Sequence, residues 1–333
     1  MIRKAFRFAV LLAVAGILAV IIWFSREYRQ LRPGLPADTL FVVQKGQPVT
    51  SIAAALRKKG LIRSRAAFRL AYQLYHRRQS LKAGEYAFPG PVAMRDILDA
   101  MTKGRTYLHP VTIPEGLTGE ETGREFERQG LVPFQEFFAA FADPELIAGW
   151  DPMGRNAEGY LFPETYYFSR MTQGQEVVER MIGQFQSVYT ENWRRRSREL
   201  GLSIRQVTTL ASLIEKEASR AEEKKLVSAV FHNRLRLRMK LDCDPTIIYA
   251  LKLAGEYEGR LRSRDLRLDS PYNTYRHPGL PPGPICNPGR ASLEAALYPA
   301  SEDYLFFVSR NDGSHQFSRT YRQHQVAVFK YQK

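Results

Sequence analysis

The chain has 333 residues, a hydrophobic fraction of 44% and a formal net charge of +15. This composition excludes a disordered protein and provides enough apolar residues for two compact domains with appendages. The two cysteines exclude a disulfide-rich scaffold and a four-cysteine zinc site, whereas the positive charge suits nucleic acid, anionic lipid headgroups or an acidic wall polymer.

The amino-terminal segment has the pattern of one membrane-spanning helix. Residues 1–7 carry three basic side chains, and residues 8–24 follow without a single charge. The small-residue stretch at residues 13–15 also fits the cleavage site of a signal peptide, but cleavage there would leave an exposed apolar tail, so we favour an uncleaved anchor. Basic residues flank both ends of the span, so the charge rule alone does not orient it.

A linker at residues 25–39 and a small mixed domain at residues 40–104 are predicted next. Ser64 is a candidate helix N-cap, and Gly104 a candidate C-cap. The predicted elements are a strand at 41–46, a helix ending at Gly60, a helix at 65–75, a strand at 81–88 and a helix at 94–101. This order and the residues 41–56 resemble a LysM module, a glycan-binding fold, with one additional helix; a simple spacer domain is the alternative.

A larger domain is predicted from residue 105 to residue 333. Helix predominates between residues 174 and 253, after shorter helices at 120–128 and 134–141. Two strand-like runs near the carboxyl terminus flank Asn311-Asp312-Gly313, which is a hairpin turn signal. The fold class predicted for the chain is therefore α+β, with an amino-terminal transmembrane helix, a small LysM-like domain and a larger mixed domain.

The strongest indication of a catalytic group lies in the predicted helix at residues 207–218. Leu210, Leu213, Ile214 and Glu217 recur at the spacing of one helical face, so Glu217 is expected to point where its apolar neighbours point. A carboxyl group held against apolar neighbours resists ionisation, and its raised pKa lets it keep a proton to donate near neutral pH. Glu217 is therefore a candidate general acid.

A second glutamate in the same helix competes for this interpretation. Glu215 lies about 200° around the helix from Glu217, so only one of the two carboxylates is expected on the inner face. The alternative to a catalytic role is a buried glutamate paired with a structural arginine.

Several polar motifs follow within the larger domain. Residues 231–234 continue a helix and include Asn233 and Arg234, whereas Asp244 is placed like a helix N-cap before a first-turn proline. The segments 270–275 and 279–285 interleave aromatic rings with amides, hydroxyls, prolines and glycines, a composition typical of a rigid loop that binds sugar.

Taken in order, these motifs resemble one family. The resemblance is carried by Leu-Ile-Glu-Lys-Glu, Asn-Arg, Asp-Pro-Thr, Tyr-Asn-Thr-Tyr, Gly-Leu-Pro-Pro-Gly-Pro-Ile, Asn-Pro-Gly and a late His-Gln-Phe. The chain is similar along essentially its whole length to the YceG-like family, also called the MltG family, whose members are endolytic murein transglycosylases of bacteria.

The resemblance implies cleavage of the β-1,4 bond between N-acetylmuramic acid and N-acetylglucosamine, leaving a 1,6-anhydro end. The catalytic glutamate of the family corresponds to Glu217. We expect substrate contacts from Asn233, Tyr272, Asn273 and Tyr275, and support from Glu215, Arg234 and Asp244. A hydrolytic muramidase that uses Asp244 or Asp242 with Glu217 is one alternative. A non-catalytic glycan-binding scaffold is another.

Partners and location follow from the same resemblance. Expected partners are peptidoglycan strands, the cytoplasmic membrane and penicillin-binding synthases, with the amino terminus inside and the catalytic domain in the periplasm. No nucleic-acid motif and no metal-ligand spacing occur, so no nucleic-acid partner and no cofactor are expected. Cys243 and Cys286 could form one disulfide or remain two buried thiols, and His315 is interpreted as a hydrogen-bonded core residue.

Overall fold

The structure, a computed structural model, describes residues 2–332. Met1 and Lys333, which belong to the predicted cytoplasmic tail and the predicted catalytic domain, lie outside the described residues. The described chain is a mixture of helices and short two-stranded sheets behind a long apolar amino-terminal helix. The predicted α+β class is confirmed at this level.

Two compact units make up the chain. Unit 1 reaches to His109 and includes Tyr167–Met171, and unit 2 consists of Pro110–Tyr166 and the chain from Thr172 onward. The elements up to residue 104 are α1 (Ile2–Arg29), β1 (Leu40–Val43), α2 (Val49–Lys58), α3 (Arg65–Ala71), β2 (Gly84–Ala87) and α4 (Met94–Lys103). The later elements are β3 (His109–Thr112), α5 (Gly119–Arg128), α6 (Phe134–Phe141), β4 (Thr165–Phe168), α7 (Gly174–Val188), α8 (Glu191–Glu199), α9 (Ile204–Glu217), α10 (Lys224–Arg236), α11 (Asp244–Ala254), α12 (Arg290–Leu297), β5 (Phe306–Ser309), β6 (His315–Ser318) and α13 (Tyr321–Tyr331).

Unit 1 is built on an antiparallel pair of strands covered by helices. Strand β1 pairs with β2 from Leu40 opposite Ala87 to Val43 opposite Gly84. The Ser64 hydroxyl accepts a hydrogen bond from the backbone of Ala67 at 3.1 Å, so the predicted N-cap of α3 is confirmed. The predicted helix at 65–75 is shorter than expected, because α3 ends at Ala71 and continues as a π-helical turn.

The segment predicted as a linker, residues 25–39, is instead packed on unit 1. Tyr28, at the end of α1, packs against the unit 1 core. The backbones of Arg32 and Val92 exchange two hydrogen bonds of 2.9 Å, and Leu35 is only 7% exposed. The segment therefore connects α1 to β1 and also packs on unit 1, which provides partners for its apolar and backbone groups.

Helix α9 lies at the centre of unit 2. Ser203 and Gln206 form a capping box, in which the Ser203 hydroxyl accepts from the Gln206 backbone at 3.1 Å and the Gln206 side chain accepts from the Ser203 backbone at 2.8 Å. The eight residues from Val207 to Ile214 are all buried, because α8, α10, α11 and α12 pack around the helix. In its last turn Glu215 and Glu217 are partly buried, whereas Lys216 is exposed.

The carboxyl-terminal elements form a hairpin followed by a helix. Strand β5 pairs antiparallel with β6, with Ser309 opposite His315. The turn contains Asn311 with a φ of 62° and Gly313 with a φ of 80°, both in the left-handed region that tight turns require. The predicted hairpin is thus confirmed, and α13 packs against both of its strands.

Candidate active site

A cavity of about 500 Å³ lies in unit 2, where the last turn of α9 meets the start of α11 and the carboxyl-terminal hairpin. Most of its polar lining consists of titratable side chains. The lining includes Glu217, Arg234, Asp242, Asp244, Tyr275, His315, Tyr321 and His324, with the Phe306 and Phe307 rings of β5.

Glu217 ends α9 and keeps part of its surface exposed, although protein atoms surround it on most sides. Burial raises the pKa of Glu217 to about 7, because the charged form loses its hydration, and the nearby charge of Asp244 raises it further. A hydrogen bond from the Cys243 thiol and the positive charges of His315 and Arg234 act in the opposite direction. The group can therefore hold a proton near neutral pH and also release it.

Helix α11 begins one residue earlier than its sequence indicates. Cys243 is the N-cap residue and Asp244 is the first helical residue, so the interpretation of Asp244 as an N-cap is wrong. The hydroxyl of Thr274 accepts from the Cys243 backbone at 3.0 Å, and the Asp244 side chain has a different partner. Cys243 and Cys286 are both free, buried thiols.

The Asp244 carboxylate points to the tyrosine loop. The Tyr275 hydroxyl donates a hydrogen bond to Asp244 at 2.7 Å, and both side chains line the cavity. Burial and this hydrogen bond raise the pKa of Tyr275, so its hydroxyl keeps its proton. Asp244 and Tyr275 therefore act as one unit at the edge of the cavity.

Arg234 closes another side of the cavity and is only 8% exposed. Its guanidinium donates to the backbone carbonyls of Leu241 at 2.9 Å and Leu305 at 2.7 Å, and to the Asp242 carboxylate at 3.1 Å. Asp242 itself has a φ of 48°, an unusual conformation for a residue other than glycine. Arg234 thus joins the segment before α11 to the segment before β5.

The two asparagines that were expected to contact substrate, Asn233 and Asn273, are hydrogen-bonded to backbone groups of the chain. The Asn233 amide donates to the backbone carbonyls of Glu302 at 2.8 Å and Tyr304 at 3.0 Å. Asn273 is fully buried, its amide donates to the Leu268 carbonyl at 2.8 Å and its oxygen accepts from the backbone of Tyr275. These contacts hold loops in place, and a direct contact of either side chain with substrate stays a prediction.

Tyr272 and Glu215 lie apart from the residues that line the cavity. The Tyr272 ring lies 5.0 Å from the Tyr249 ring, tilted by 58°. The Glu215 carboxylate accepts from Lys224 at 2.9 Å and from the Ser292 hydroxyl at 2.6 Å. Glu215 and Glu217 are both partly buried, whereas Lys216 between them is exposed, so the expectation that only one of the two glutamates could face inward is wrong.

The comparisons with known proteins agree with this geometry. The sequence profile of the YceG-like family matches residues 41–330. The chain belongs to the YceG-like family. A relative from Bacillus subtilis, named endolytic murein transglycosylase, is 33% identical over 306 residues, which cover 87% of this chain and 83% of the relative.

Two further relatives of this YceG-like chain are informative. The endolytic murein transglycosylase of Streptococcus pneumoniae strain R6 is 29% identical over 80% of this chain, which spans only 53% of that longer protein. A crystal structure of a YceG-like protein from Listeria monocytogenes superposes with a TM-score of 0.59 at 30% identity, covering 89% of this chain and 98% of the other. The family predicted from the sequence is confirmed, and its relatives carry the name of the predicted enzyme class.

Several cavity residues of this YceG-like chain were missed by sequence reasoning. His315 on β6 was expected in a core, and it is indeed hydrogen-bonded: its Nδ1 lies 2.6 Å from the Glu223 carboxylate, which also accepts from the His315 backbone at 2.9 Å. His315 nevertheless lines the cavity, together with Tyr321 and His324. The only sequence signal for these residues was the predicted hairpin, which does not reveal what it packs against.

Proposed function

We propose that this chain is a membrane-anchored endolytic lytic transglycosylase, which cleaves the β-1,4 bond between N-acetylmuramic acid and N-acetylglucosamine in peptidoglycan strands. The observation that carries the proposal is the position of Glu217, a carboxyl with a pKa of about 7 in a cavity of about 500 Å³. The names of the relatives from Bacillus subtilis and Streptococcus pneumoniae support the substrate.

In the proposed reaction Glu217 acts twice. Its protonated carboxyl first gives a proton to the glycosidic oxygen of the leaving sugar, as the bond to C1 of N-acetylmuramic acid breaks. The C6 hydroxyl of the same sugar then attacks C1, and the Glu217 carboxylate accepts the hydroxyl proton. The product is a 1,6-anhydromuramoyl end, and Glu217 returns to its protonated form without consuming water.

The other carboxylates near Glu217 favour this route over a hydrolytic one. A hydrolytic muramidase needs a second carboxylate as base or nucleophile. Asp242 is paired with Arg234 at 3.1 Å, and Asp244 accepts the Tyr275 hydroxyl at 2.7 Å. Both candidates are therefore already engaged, which supports an intramolecular nucleophile supplied by the sugar.

The roles of the surrounding residues follow from their contacts. Tyr275 lines the cavity beside Asp244, and we assign it a contact with the sugar, because an aromatic ring can pack on the C–H face of a pyranose. Arg234 and Asp244 support this arrangement from the cavity wall. We assign structural support to Glu215, Asn233 and Asn273. Tyr272 belongs to the same loop as Tyr275 but lies apart from the residues that line the cavity.

The remaining parts of the proposal concern location and domains. Helix α1 is long and apolar enough to cross a membrane between Phe6 and Arg29, which supports a single span at residues 8–24. An inside amino terminus and a periplasmic catalytic domain at 105–333 are proposed from the family alone. The strand–helix–helix–strand order of residues 40–104 supports a LysM-like, glycan-binding module. Association with penicillin-binding synthases is proposed from the family alone.

The deciding experiment combines a substitution with mass spectrometry of the released glycan ends. Glu217→Gln keeps the shape of the side chain but cannot cycle a proton, so cleavage should fall by about 10²–10⁴-fold, the usual contribution of a general acid–base group. Glu222→Gln, at an exposed position, is the matched control and should cleave normally.

Each alternative gives a different result in the same assay. Anhydro ends are lighter than reducing ends by one water, so reducing ends would indicate a hydrolytic muramidase instead. A Glu217→Gln variant with full activity would eliminate the assignment of the catalytic residue. Wild-type protein that binds peptidoglycan strands and never cuts them would identify a scaffold.

A further inference from the structure

Three aromatic rings join the end of α1 to the rest of unit 1. Phe24 and Tyr28, both on α1, stack with ring centroids 6.0 Å apart. The ring of Tyr75, in the π-helical turn Tyr72–His76, lies 5.1 Å from Tyr28 and 6.4 Å from Phe24. This turn is therefore fixed against the helix at the point where its apolar run ends.

The length of that run sets the depth of the contact. Residues 8–24 extend over about 26 Å at the rise of an α-helix, slightly less than the roughly 30 Å hydrocarbon core of a bilayer. When α1 spans a membrane, Phe24 lies at the boundary of the hydrocarbon and Tyr28 lies one turn further out, among the headgroups. Tyr75 contacts both rings, so it must lie at the same depth.

The side chains around Tyr75 are unusual for a surface that faces only water. Leu70, Leu74 and Tyr75 are 37%, 60% and 57% exposed. Arg77 and Arg78 follow after His76 and are exposed, and within residues 2–332 neither forms an ion pair with a carboxylate. Exposed leucine and tyrosine beside unpaired arginine is the composition of a membrane–water interface, where aromatic rings and basic groups meet anionic phosphates.

We propose that these five residues, here called the juxtamembrane face, rest on the outer leaflet of the bilayer that α1 spans. Leu74 and Tyr75 enter the boundary between headgroups and acyl chains, and Arg77 and Arg78 bind the phosphates of anionic phospholipids. The inference rests on the membrane anchor of the proposed function. It agrees with the packing of residues 25–39, because unit 1 is held at the membrane surface and does not hang from a flexible linker.

The test uses spin labels on the full-length chain in bilayers that contain phosphatidylglycerol and phosphatidylcholine. The native thiols are buried, with Cys243 at 1% and Cys286 at 0% exposure, so an introduced cysteine can be labelled selectively. Labels at Leu74→Cys, at Val14→Cys in the middle of α1 and at Val42→Cys on the exposed face of β1 are compared by their accessibility to oxygen and to a water-soluble nickel chelate.

The three labels test the juxtamembrane face separately from the membrane anchor. Val14→Cys should be accessible to oxygen and shielded from nickel, Val42→Cys should show the reverse, and Leu74→Cys should lie between them, at headgroup depth. A Leu74 label that matches Val42, while the Val14 label is shielded, would overturn the juxtamembrane face and leave the anchor intact. A nickel-accessible Val14 label would overturn both.

Varying the lipid charge and the protein density shows whether anionic lipid or a neighbouring protein covers the juxtamembrane face. Replacing the phosphatidylglycerol with phosphatidylcholine, or substituting Arg77→Gln with Arg78→Gln, should move the Leu74 label toward water. The paired substitution Arg57→Gln with Lys58→Gln on the exposed end of α2 is the control and should leave the label in place. Shielding that disappears on dilution of the protein in the bilayer would identify a protein neighbour, and shielding that persists unchanged in uncharged lipid would show that Arg77 and Arg78 do not bind anionic phosphates. Either result would overturn the proposal.

Discussion

The Tyr275 hydroxyl donates a hydrogen bond to the Asp244 carboxylate at 2.7 Å, beside the carboxyl of Glu217. This contact keeps the negative charge of Asp244 close to Glu217, where it raises the pKa of the candidate acid. The tyrosine loop thereby influences the protonation of a residue on a different helix. The pH dependence of cleavage is therefore a direct test of the geometry.

Asp244→Asn should move the alkaline limb of the pH profile of kcat/KM to lower pH. The asparagine oxygen can still accept the Tyr275 hydroxyl, but the negative charge is gone, so Glu217 loses its proton more easily. The limb is expected near pH 7 in the wild type, where Glu217 titrates, and the shift should be on the order of one pH unit. Asp303→Asn, at an exposed position, should leave the profile unchanged.

Cys243→Ala should shift the same limb in the opposite direction. The Cys243 thiol donates a hydrogen bond that lowers the pKa of Glu217, so its loss lets the carboxyl keep its proton to higher pH. Cys286→Ala removes the same sulfur from another buried site, where the thiol lies 3.4 Å from the Ser212 carbonyl. A shift of equal size in both variants would show that repacking, and not the hydrogen bond, causes the change.

The contrast between these residues shows what the sequence could and could not predict. The position of Glu217 on an apolar helical face was predictable, because the spacing of Leu210, Leu213 and Ile214 is local. The start of α11 was not, because the N-cap residue Cys243 is held by a hydrogen bond to Thr274, which is distant in the chain. Local spacing therefore identified the candidate acid and missed the groups that set its pKa.

The same limit applies to the contacts of the two asparagines and to the missed histidine. Helix α6 and the hairpin were predictable from short-range signals. Asn233 and Asn273 carry polar groups of the kind that bind sugar, but distant backbone carbonyls use those groups first. His315 reaches the cavity only because Glu223, far away in sequence, holds its ring and its backbone.

The second glutamate of α9 should be important for stability. Glu215 and Lys224 form an ion pair at 2.9 Å whose side chains are 8% and 7% exposed. Glu215→Gln leaves the buried Lys224 charge with only the longer contact to Glu115 at 3.5 Å, so the free energy of unfolding should fall, by up to the roughly 3–5 kcal/mol typical of a broken buried pair. Denaturant unfolding measures the loss.

An adjacent lysine provides the control for this pair. Lys225 pairs with Glu294 at 2.9 Å at a site where both side chains are about half exposed, so Lys225→Met should cost less than about 1 kcal/mol. The double variant Glu215→Gln with Lys224→Gln should recover part of the stability lost in Glu215→Gln alone. Equal losses for Glu215→Gln and Lys225→Met would contradict the importance of the buried pair.

Glu158 should make the folded chain less stable as the pH rises. It is 5% exposed, and burial raises its pKa to about 8, even though its carboxyl accepts from the backbone of Gly119 at 3.1 Å. Its ordinary value is 4.5, so between that pH and about 8 the folded state binds more protons than the unfolded state. The free energy of unfolding must fall across this interval, and the contribution of the protonated group is complete only below it.

Glu158→Gln should remove that slope, because a neutral amide stays neutral at every pH. Unfolding midpoints between about pH 5 and about pH 9 should vary less for the variant than for wild type, with a gain in the free energy of unfolding of a few kcal/mol on the alkaline side. Glu217→Gln is the informative comparison, because its pKa of about 7 limits its part of the slope to lower pH. If the midpoints of wild type and Glu158→Gln change equally between pH 7 and pH 8, the carboxyl of Glu158 is already ionised in the folded chain, and the hydrogen bond from Gly119 outweighs its burial.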